Sequence, residues 1–136
     1  MASVMFTAVA DEGGNIGPYD GDTTVIFRKV ITNIGGGYDN TSGIFTAPYA
    51  GYYYFSFFYR AGKELQSGLT LMKNSTVIVK AFDNKPPSVH SIDNAGNAAC
   101  LELQAGDQVF VILPAKHQVW GANNCTTFSG FLIKQM

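Results

Sequence analysis

Apolar and polar residues alternate with a period of two along most of this chain, and no window shows the 3.6-residue period of an amphipathic helix. Runs rich in β-branched and aromatic residues, which favour strands, span residues 4–9, 25–31, 52–59, 69–72, 77–82, 98–103, 109–113 and 128–133. Turn signals rich in glycine, asparagine or proline separate these runs. Short strands joined by turns predict an all-β sandwich.

The run at residues 51–59 is apolar on both faces that a strand would present. Side chains alternate along a strand, so one face carries Tyr53, Phe55, Phe57 and Tyr59. The opposite face carries Tyr52, Tyr54, Ser56 and Phe58. The run at residues 109–113 repeats the pattern, with Phe110 and Ile112 opposite three core-type residues.

An antiparallel sheet of a soluble sandwich normally has one polar face, so these outer-face residues need a cover. Partner subunits would provide it, and a long loop folded over the outer face is the alternative. We expect the outer-face residues to form a subunit interface: Tyr52, Tyr54, Phe58, Phe110 and Ile112.

Composition supports self-association and excludes several classes of function. Charged residues make up 14% of the 136 residues, against about 25% in typical domains. The net charge is −1 with no basic stripe, so nucleic-acid binding is not expected. No run approaches the ~18 apolar residues of a transmembrane helix, so membrane insertion is not expected either.

Catalytic motifs are absent from the sequence. The two histidines, His90 and His117, are not beside a nucleophile elbow, and no metal-type His or Cys spacing occurs. The glycine run at residues 35–37 joins two strands and does not open a helix, so it is read as a loop. We therefore expect a binding protein and not an enzyme.

Several aromatic, asparagine and glycine positions fall at the spacing of one family: Phe27, Asn33, Tyr38, Phe45, Gly51, Tyr53, Phe55 and Phe57. Segments 43–48, 71–74, 106–109 and 127–132 follow in the usual order. In these features the chain resembles the C1q globular domain, from about Val4 to Met136. The resemblance implies a single domain over residues 1–136, a ten-stranded jelly-roll sandwich shared with tumour necrosis factor, a homotrimer and an extracellular, secreted protein. No collagen-type Gly-x-y repeat occurs in this chain.

Two functions are compatible with the resemblance. The first is a recognition module of innate immunity that contacts ligands on microbial or altered-cell surfaces. The second is a signalling ligand similar to the adiponectin or cerebellin branch, which would bind the ectodomain of a cell-surface receptor. The sequence at residues 43–57 favours the first function, because it is most similar to C1q-like proteins associated with immunity.

Calcium is the cofactor that the resemblance implies. By position, Asp83, Asn84 and Asp93 match the acidic and polar residues of a calcium loop found in several C1q-domain proteins. Carboxylate and amide oxygens suit this hard cation. Solvated loop carboxylates that stabilise turns are the alternative.

Other loop residues have more than one interpretation. Lys116, His117 and Trp120 are candidate ligand contacts, although Trp120 could instead plug an end of the sandwich. Asp107, which follows a glycine between two strands, is expected to stabilise a turn. The acidic residues at positions 11, 12, 20 and 22 are expected to be solvated.

Modification sites complete the sequence predictions. Asn-x-Ser/Thr sites occur at Asn40, Asn74 and Asn124, and in an extracellular protein at least one is expected to carry a glycan. Chance occurrence in a chain rich in Asn, Ser and Thr is the alternative. Cys100 and Cys125 match no zinc spacing. Cys100 in an apolar strand is expected to be buried and Cys125 in a polar loop exposed, with a disulfide or two buried thiols as the alternatives.

Overall fold

The computed structural model describes residues 2–62, 65–83 and 93–136. These residues form thirteen strands and contain no helix: β1 Met5–Val9, β2 Gly14–Ile16, β3 Thr23–Thr24, β4 Lys29–Ile34, β5 Tyr38–Asp39, β6 Ile44–Thr46, β7 Gly51–Ala61, β8 Ser67–Lys73, β9 Thr76–Asp83, β10 Asn94–Leu103, β11 Gln108–Leu113, β12 Val119–Gly121 and β13 Thr127–Gln135. In this described part of the chain, no helix has the length and apolar character that crossing a bilayer requires.

The strands pair antiparallel in two sheets. Sheet A runs in the order β10-β7-β13-β1-β4. Beyond the end of β13, the short strand β12 pairs with the last residues of β7, and β2 pairs with β12. Sheet B runs in the order β9-β8-β11-β6-β5, with the short strand β3 also paired to β11. Without β2, β3 and β12, each sheet has five strands, which is the predicted ten-stranded jelly roll.

Strand β7 illustrates how the sequence produces the sandwich. Its residues alternate between buried and more exposed, and Tyr53, Phe55 and Phe57 are completely buried between the sheets. Such alternation is the result of the pleat, which turns successive side chains to opposite faces. Most of the strand runs expected from the sequence are found, with ends that differ by a few residues.

The core is an aromatic cluster between the two sheets. The Phe6 ring stacks on Tyr38 at a centroid distance of 4.9 Å and meets Phe128 edge-on at 4.9 Å. Phe45 packs edge-on against Phe55 at 5.3 Å. Stacked and edge-to-face pairs of this kind add about 0.5–1.5 kcal/mol each to the energy of burial.

The prediction of a strand at residues 25–31 is wrong for residues 25–28. Residues 25–28 are irregular, because the chain crosses there from β3 in sheet B to β4 in sheet A. Val25 and Phe27 are nevertheless buried, which explains their apolar character. The Tyr38 hydroxyl donates to the Phe27 carbonyl at 2.8 Å and accepts from the Phe27 amide at 3.1 Å, which replaces the missing sheet hydrogen bonds.

Candidate functional site

The outward face of sheet A carries an exposed apolar row that crosses five strands. The pairing of the strands aligns Ile34 with Met5, Met5 with Phe131, Phe131 with Tyr54 and Tyr54 with Cys100. Residues paired in this way share one face of a sheet. The Tyr54 and Phe131 rings are 5.3 Å apart, and Phe131 is 44% exposed. We call these five residues the apolar row.

Smaller side chains and a second aromatic residue lie beside the apolar row. The next line across the sheet contains the hydroxyl residues Thr32, Thr7, Ser129 and Ser56. The Thr7 and Ser129 hydroxyls share a 2.8 Å hydrogen bond. On the far side of these hydroxyl residues lies Phe58, which is 54% exposed and pairs with Gly96 on β10. A Cβ atom at position 96 would collide with the Phe58 ring.

This face is shaped to receive another surface. An open hollow of about 440 Å³ lies beside Met5, Thr7 and Phe131, and another of about 480 Å³ beside Phe58 and Gly96. No described loop of the chain covers the exposed rings of Tyr52, Phe58 and Phe131. The alternative of a loop folded over this face therefore finds no support in the described residues, and a contiguous apolar surface of this kind marks an interaction site.

The β9–β10 edge is a second incompletely covered apolar surface. Five hydrophobic residues there pack against the core but are only half-buried: Ile78, Val79, Ala95, Ala99 and Leu101. The Asn97 side chain donates to the Lys80 carbonyl at 3.0 Å and so joins β10 to β9 across the gap between the sheets. The two sheets therefore leave part of the core accessible along this edge.

Phe110 and Ile112 point away from the core, as expected, but they do not belong to the face that contains Tyr54. Strand β11 lies in sheet B, so both side chains lie on the opposite side of the sandwich. They are half-buried beside their paired neighbours Met72 and Thr70. The expected outer-face residues therefore lie on two separate faces: Tyr52, Tyr54 and Phe58 lie on sheet A with the apolar row, and Phe110 and Ile112 lie on sheet B.

One end of the sandwich, which we call the loop end, contains two of the three candidate calcium residues. Asp83 ends β9 and Asp93 directly precedes β10, whereas Asn84 lies outside the described residues. Burial raises the pKa of the Tyr59 hydroxyl, and the nearby Asp83 and Asp93 carboxylates raise it further. The backbone places both residues at this end. Asp83 pairs with Ser67, whose hydroxyl donates to the Tyr59 hydroxyl at 3.2 Å, and the Asp93 carbonyl accepts from the Ala61 amide at 2.8 Å.

The chemistry of the loop end fits calcium only in part. Two carboxylates supply hard oxygen ligands, but Ca²⁺ takes six to eight oxygens. Within residues 2–62, 65–83 and 93–136, no group of three His, Cys, Asp or Glu side chains is arranged to hold a metal. Further oxygens would have to come from backbone carbonyls, water, residues 84–92 or another subunit.

Lys116, His117 and Trp120 also lie near the loop end. The Lys116 ammonium donates to Asp20 at 2.6 Å, and His117 Nδ1 is 2.9 Å from the Ala115 carbonyl. Trp120 is not at a loop tip, because it sits in β12 and pairs with Arg60 of β7. It is half-buried there, beside the end of β7, and its roles as a ligand contact or as a plug for the sandwich end both stay predictions.

The glycosylation candidates are all exposed but differ in their hydrogen bonds. The Asn40 amide donates to the Arg28 carbonyl at 3.1 Å, and the Asn124 carbonyl oxygen accepts from Lys29 at 3.0 Å. Asn74 is bonded through both side-chain atoms, to the Gln108 amide at 3.0 Å and to Asp107 at 3.3 Å. A glycan on Asn74 would therefore disturb a turn.

Asp107 stabilises a turn, as expected from the sequence. Its carboxylate accepts from the Gln104 amide at 2.8 Å as well as from Asn74, and Lys73 lies 4.0 Å away. The hydrogen bond from the Gln104 amide, with smaller contributions from Asn74 and Lys73, lowers the pKa of Asp107.

The expectation for the cysteines is wrong. Cys100 is exposed in the apolar row and Cys125 is half-buried, and both are free thiols. Cys100 is exposed because it takes an outward position in β10, where its register with Tyr54 places it on the open face.

The sequence interpretation missed Met5, Ile34 and Phe131 of the apolar row. Each takes an outward position in its strand, so period-two alternation could have indicated their orientation. Their alignment with Tyr54 could not be read from the sequence, because it depends on strand register.

Comparison with protein families and curated proteins identifies relatives. A profile of the C1q domain matches residues 5–133. Caprin-2 of Danio rerio is 35% identical over 123 residues, which represent 89% of this chain but 13% of Caprin-2. The chain therefore spans only a small part of that relative's length.

Solved structures share the fold. The globular domain of zebrafish complement 1qA superposes with a TM-score of 0.76 at 23% identity, over 98% of this chain and 99% of that one. Eiger TNF from S. frugiperda gives 0.77 at 10% identity, over 100% of this chain and 96% of that one. Murine APRIL gives 0.74 at 12% identity, over 96% of this chain and 99% of that one. The fold is thus common to C1q and tumour-necrosis-factor structures.

Proposed function

The chain belongs to the C1q domain family, and from this premise we propose that it is a secreted, homotrimeric recognition protein of innate immunity. Members of this family are ligand-binding proteins without enzymatic activity, and they are typically extracellular. The proposed ligands are repeated structures on microbial or altered-cell surfaces.

The observation that supports the trimer is the presence of two different apolar surfaces on one chain. The outward face of sheet A is broad and exposed, and the β9–β10 edge leaves part of the core half-covered. When two different surfaces of identical chains bind each other, the contact repeats around an axis and closes into a ring if the rotation allows. In the proposed trimer, the edge of each copy covers the apolar row of the next.

The trimer makes weak recognition effective. Three identical binding sites on one body act together on a repetitive surface, so the total affinity can exceed that of a single site by about 10²–10⁴. This gain requires no new contact within a site. It suits a ligand that is repeated on a cell envelope, whereas an isolated soluble ligand would engage one site at a time.

A signalling ligand for a cell-surface receptor is the second candidate function. The observation that favours it is the fold shared with Eiger TNF and murine APRIL. At 10–12% identity this likeness concerns the fold alone, and a fold does not fix a function.

One binding experiment separates the two functions. The purified protein would be applied to fixed bacteria and yeast, and in parallel to an array of receptor ectodomains. We expect saturable binding to microbial cells, weakened at least about tenfold when the trimer is dissociated, because avidity is lost. Binding to receptor ectodomains alone would reverse the order of the two functions.

We also propose that the loop end binds calcium through Asp83 and Asp93, with Asn84 as a further ligand. An ion that binds only the native state stabilises it. Addition of a chelator should therefore lower the melting temperature of the wild type, whereas Asp83→Asn should melt equally with and without chelator. An identical wild-type melting curve in both conditions would remove this proposal.

Glycosylation is proposed at Asn40 ahead of Asn74. Asn40 is exposed on the short β5–β6 connection, and one hydrogen bond engages its side chain. Mass spectrometry of protein secreted from eukaryotic cells should detect a glycan that Asn40→Gln removes. A glycan on Asn74 with Asn40 unmodified would contradict this order.

A further inference from the structure

A small hollow opens between the two sheets beside β2 and β3. Its floor consists of the core residues Ile16, Val25 and Leu113, and its volume is about 150 Å³. Glu12, Arg28 and Tyr19 form the rim. The size admits one ring-sized group, since sites for drug-sized molecules have about 300–1,000 Å³.

The polar groups of the rim come from segments that are distant in the sequence. Arg28 Nε donates to Glu12 Oε1 at 2.9 Å, and the Glu12 backbone amide donates to the Gly121 carbonyl at 2.7 Å. A guanidinium has four further N–H donors on its two Nη atoms, and the carboxylate has a second oxygen. The pair therefore presents donors and acceptors side by side.

The wall that carries Tyr19 is held in place by the loop after β11. The Lys116 amide donates to the Tyr19 carbonyl at 2.9 Å, and the Ala115 amide donates to Asp22 at 2.8 Å. The Lys116 ammonium also bonds Asp20 at 2.6 Å. Asp22 therefore helps to fix this loop and is more than a solvated carboxylate, whereas the Asp20 side chain is 99% exposed and solvated, as expected. A site whose wall is fixed before binding loses less entropy when a ligand enters.

The charges around the hollow favour a neutral ligand. Arg28 balances Glu12, and Lys116 balances Asp20, while Asp22 accepts a backbone N–H. No unbalanced cation among the described rim residues would attract an anion. A single tyrosine lines the hollow, whereas recognition of organic cations typically uses a cage of several aromatic rings.

A pyranose ring has the matching chemistry. Its C–H face packs on an aromatic ring, and its neighbouring hydroxyls each donate and accept hydrogen bonds. Tyr19, with 44% of its surface exposed, supplies the ring, and the Glu12–Arg28 pair supplies paired donors and acceptors. The apolar floor would receive the exocyclic carbon of the sugar.

The position of the hollow leaves it accessible in the proposed trimer. Near the hollow, β12 and then β2 lie on the side of β7 opposite β10, and β3 lies on the side of β11 opposite β8 and β9. The hollow therefore lies away from the β9–β10 edge and opens between the sheets, not on the outward face of sheet A. Each proposed trimer would therefore have three such hollows, all open to solvent.

We propose that this hollow is a binding site for one neutral pyranose unit of a surface glycan. The proposal rests on the function proposed above and names the ligand class and the site. The expected affinity of one site is in the millimolar range, because a single sugar ring buries little surface.

The test is NMR titration of the ¹⁵N-labelled protein with methyl glycosides of glucose, galactose, mannose and N-acetylglucosamine. We expect at least one glycoside to shift amides at residues 12–28 and near Leu113. Tyr19→Ala should weaken that binding about tenfold or more through loss of ring contact, and Tyr19→Phe should retain most of it. The control is Tyr49→Ala, which removes a similarly exposed tyrosine on the β6–β7 connection.

Two results would overturn the sugar site: no shift with any of the four glycosides, or equal binding by wild type and Tyr19→Ala. Binding to fixed microbial cells, measured with the same variants, separates this outcome from failure of the proposed function. If the wild type and Tyr19→Ala bind cells equally, the sugar site is wrong and the recognition function stands. If glycosides bind the hollow but the protein binds no cells, the sugar site stands and the recognition function fails.

Discussion

Tyr54 is the residue on which the proposed interface depends most. It lies in the middle of the apolar row, between Phe131 on β13 and Cys100 on β10. A polar residue would have been expected here if the outward face of sheet A were a solvated surface. The sequence alone indicated this position, because alternation in β7 is regular and its outward residues are aromatic.

Tyr54→Asp should dissociate the proposed trimer. In the assembled protein this carboxylate would lie in a covered apolar surface, where it would lose its hydration and gain no hydrogen-bond partner. The free energy of association should therefore become less favourable by about 2 kcal/mol or more for each subunit interface. Light scattering should give the mass of a monomer for this variant. Tyr49→Asp, on the β6–β7 connection, should assemble like the wild type, and normal assembly of Tyr54→Asp would contradict the assignment of the face.

Asp107 gives a prediction about pH. Its pKa in the folded protein is lowered, first by the hydrogen bond from the Gln104 amide, so its contribution to stability is present above the unfolded pKa of about 3.9. This contribution is lost as the pH falls through the lower, folded pKa. Asp107→Asn should therefore melt below the wild type at pH 7, and the difference should shrink in strong acid.

The control for this pH series is Asp11→Asn, which changes an exposed carboxylate near β2. It should melt close to the wild type throughout. A gap between wild type and Asp107→Asn that stays constant from pH 7 to pH 2 would show that the carboxylate charge has no part in stabilising the turn.

At the scale of strands, the sequence predicted the long elements and missed the short ones. Strands β7, β11 and β13 have enough alternating apolar residues for the period to be read. Strands β2, β3 and β12 have two or three residues each, too few for any period, and they exist because longer neighbours offer them hydrogen-bond partners.

The polar first half of β10 was missed for a related reason. Residues 94–97 include two asparagines and a glycine, which disfavour strands in isolation. Ten residues of β7 nevertheless pair with β10, and this pairing outweighs local preference. Gly96 is needed there because the Phe58 ring lies across it.

Gly96→Ala should destabilise the fold by about 1–3 kcal/mol, because the added methyl would collide with the Phe58 ring and the Phe57 carbonyl. Gly14→Ala is the matched control, since a Cβ at this β2 position meets no atom within 4 Å. Chemical unfolding of both variants measures the difference. Equal stability of the two would show that the Phe58 ring moves aside without cost.

On the scale of the whole molecule, the described residues form a sandwich around an aromatic core, and among them the outward face of sheet A is apolar and exposed and the β9–β10 edge is half-buried. The low content of charged residues indicated self-association, and the family resemblance supplied the number of three subunits. Sequence could not reveal the β9–β10 edge or the hollow at Glu12, Arg28 and Tyr19. Both form where segments distant in the sequence pack together, and such long-range contacts cannot be predicted from a local sequence pattern.

The mass of the protein in solution tests the account most directly, because the avidity of the proposed recognition function and the role of the apolar row both depend on copies covering the outward face of sheet A. Size-exclusion chromatography with multi-angle light scattering, at micromolar concentration, should give three times the 14.7 kDa mass of the chain. A mass of 14.7 kDa under these conditions would mean that the apolar row faces solvent, and it would contradict the proposed trimer.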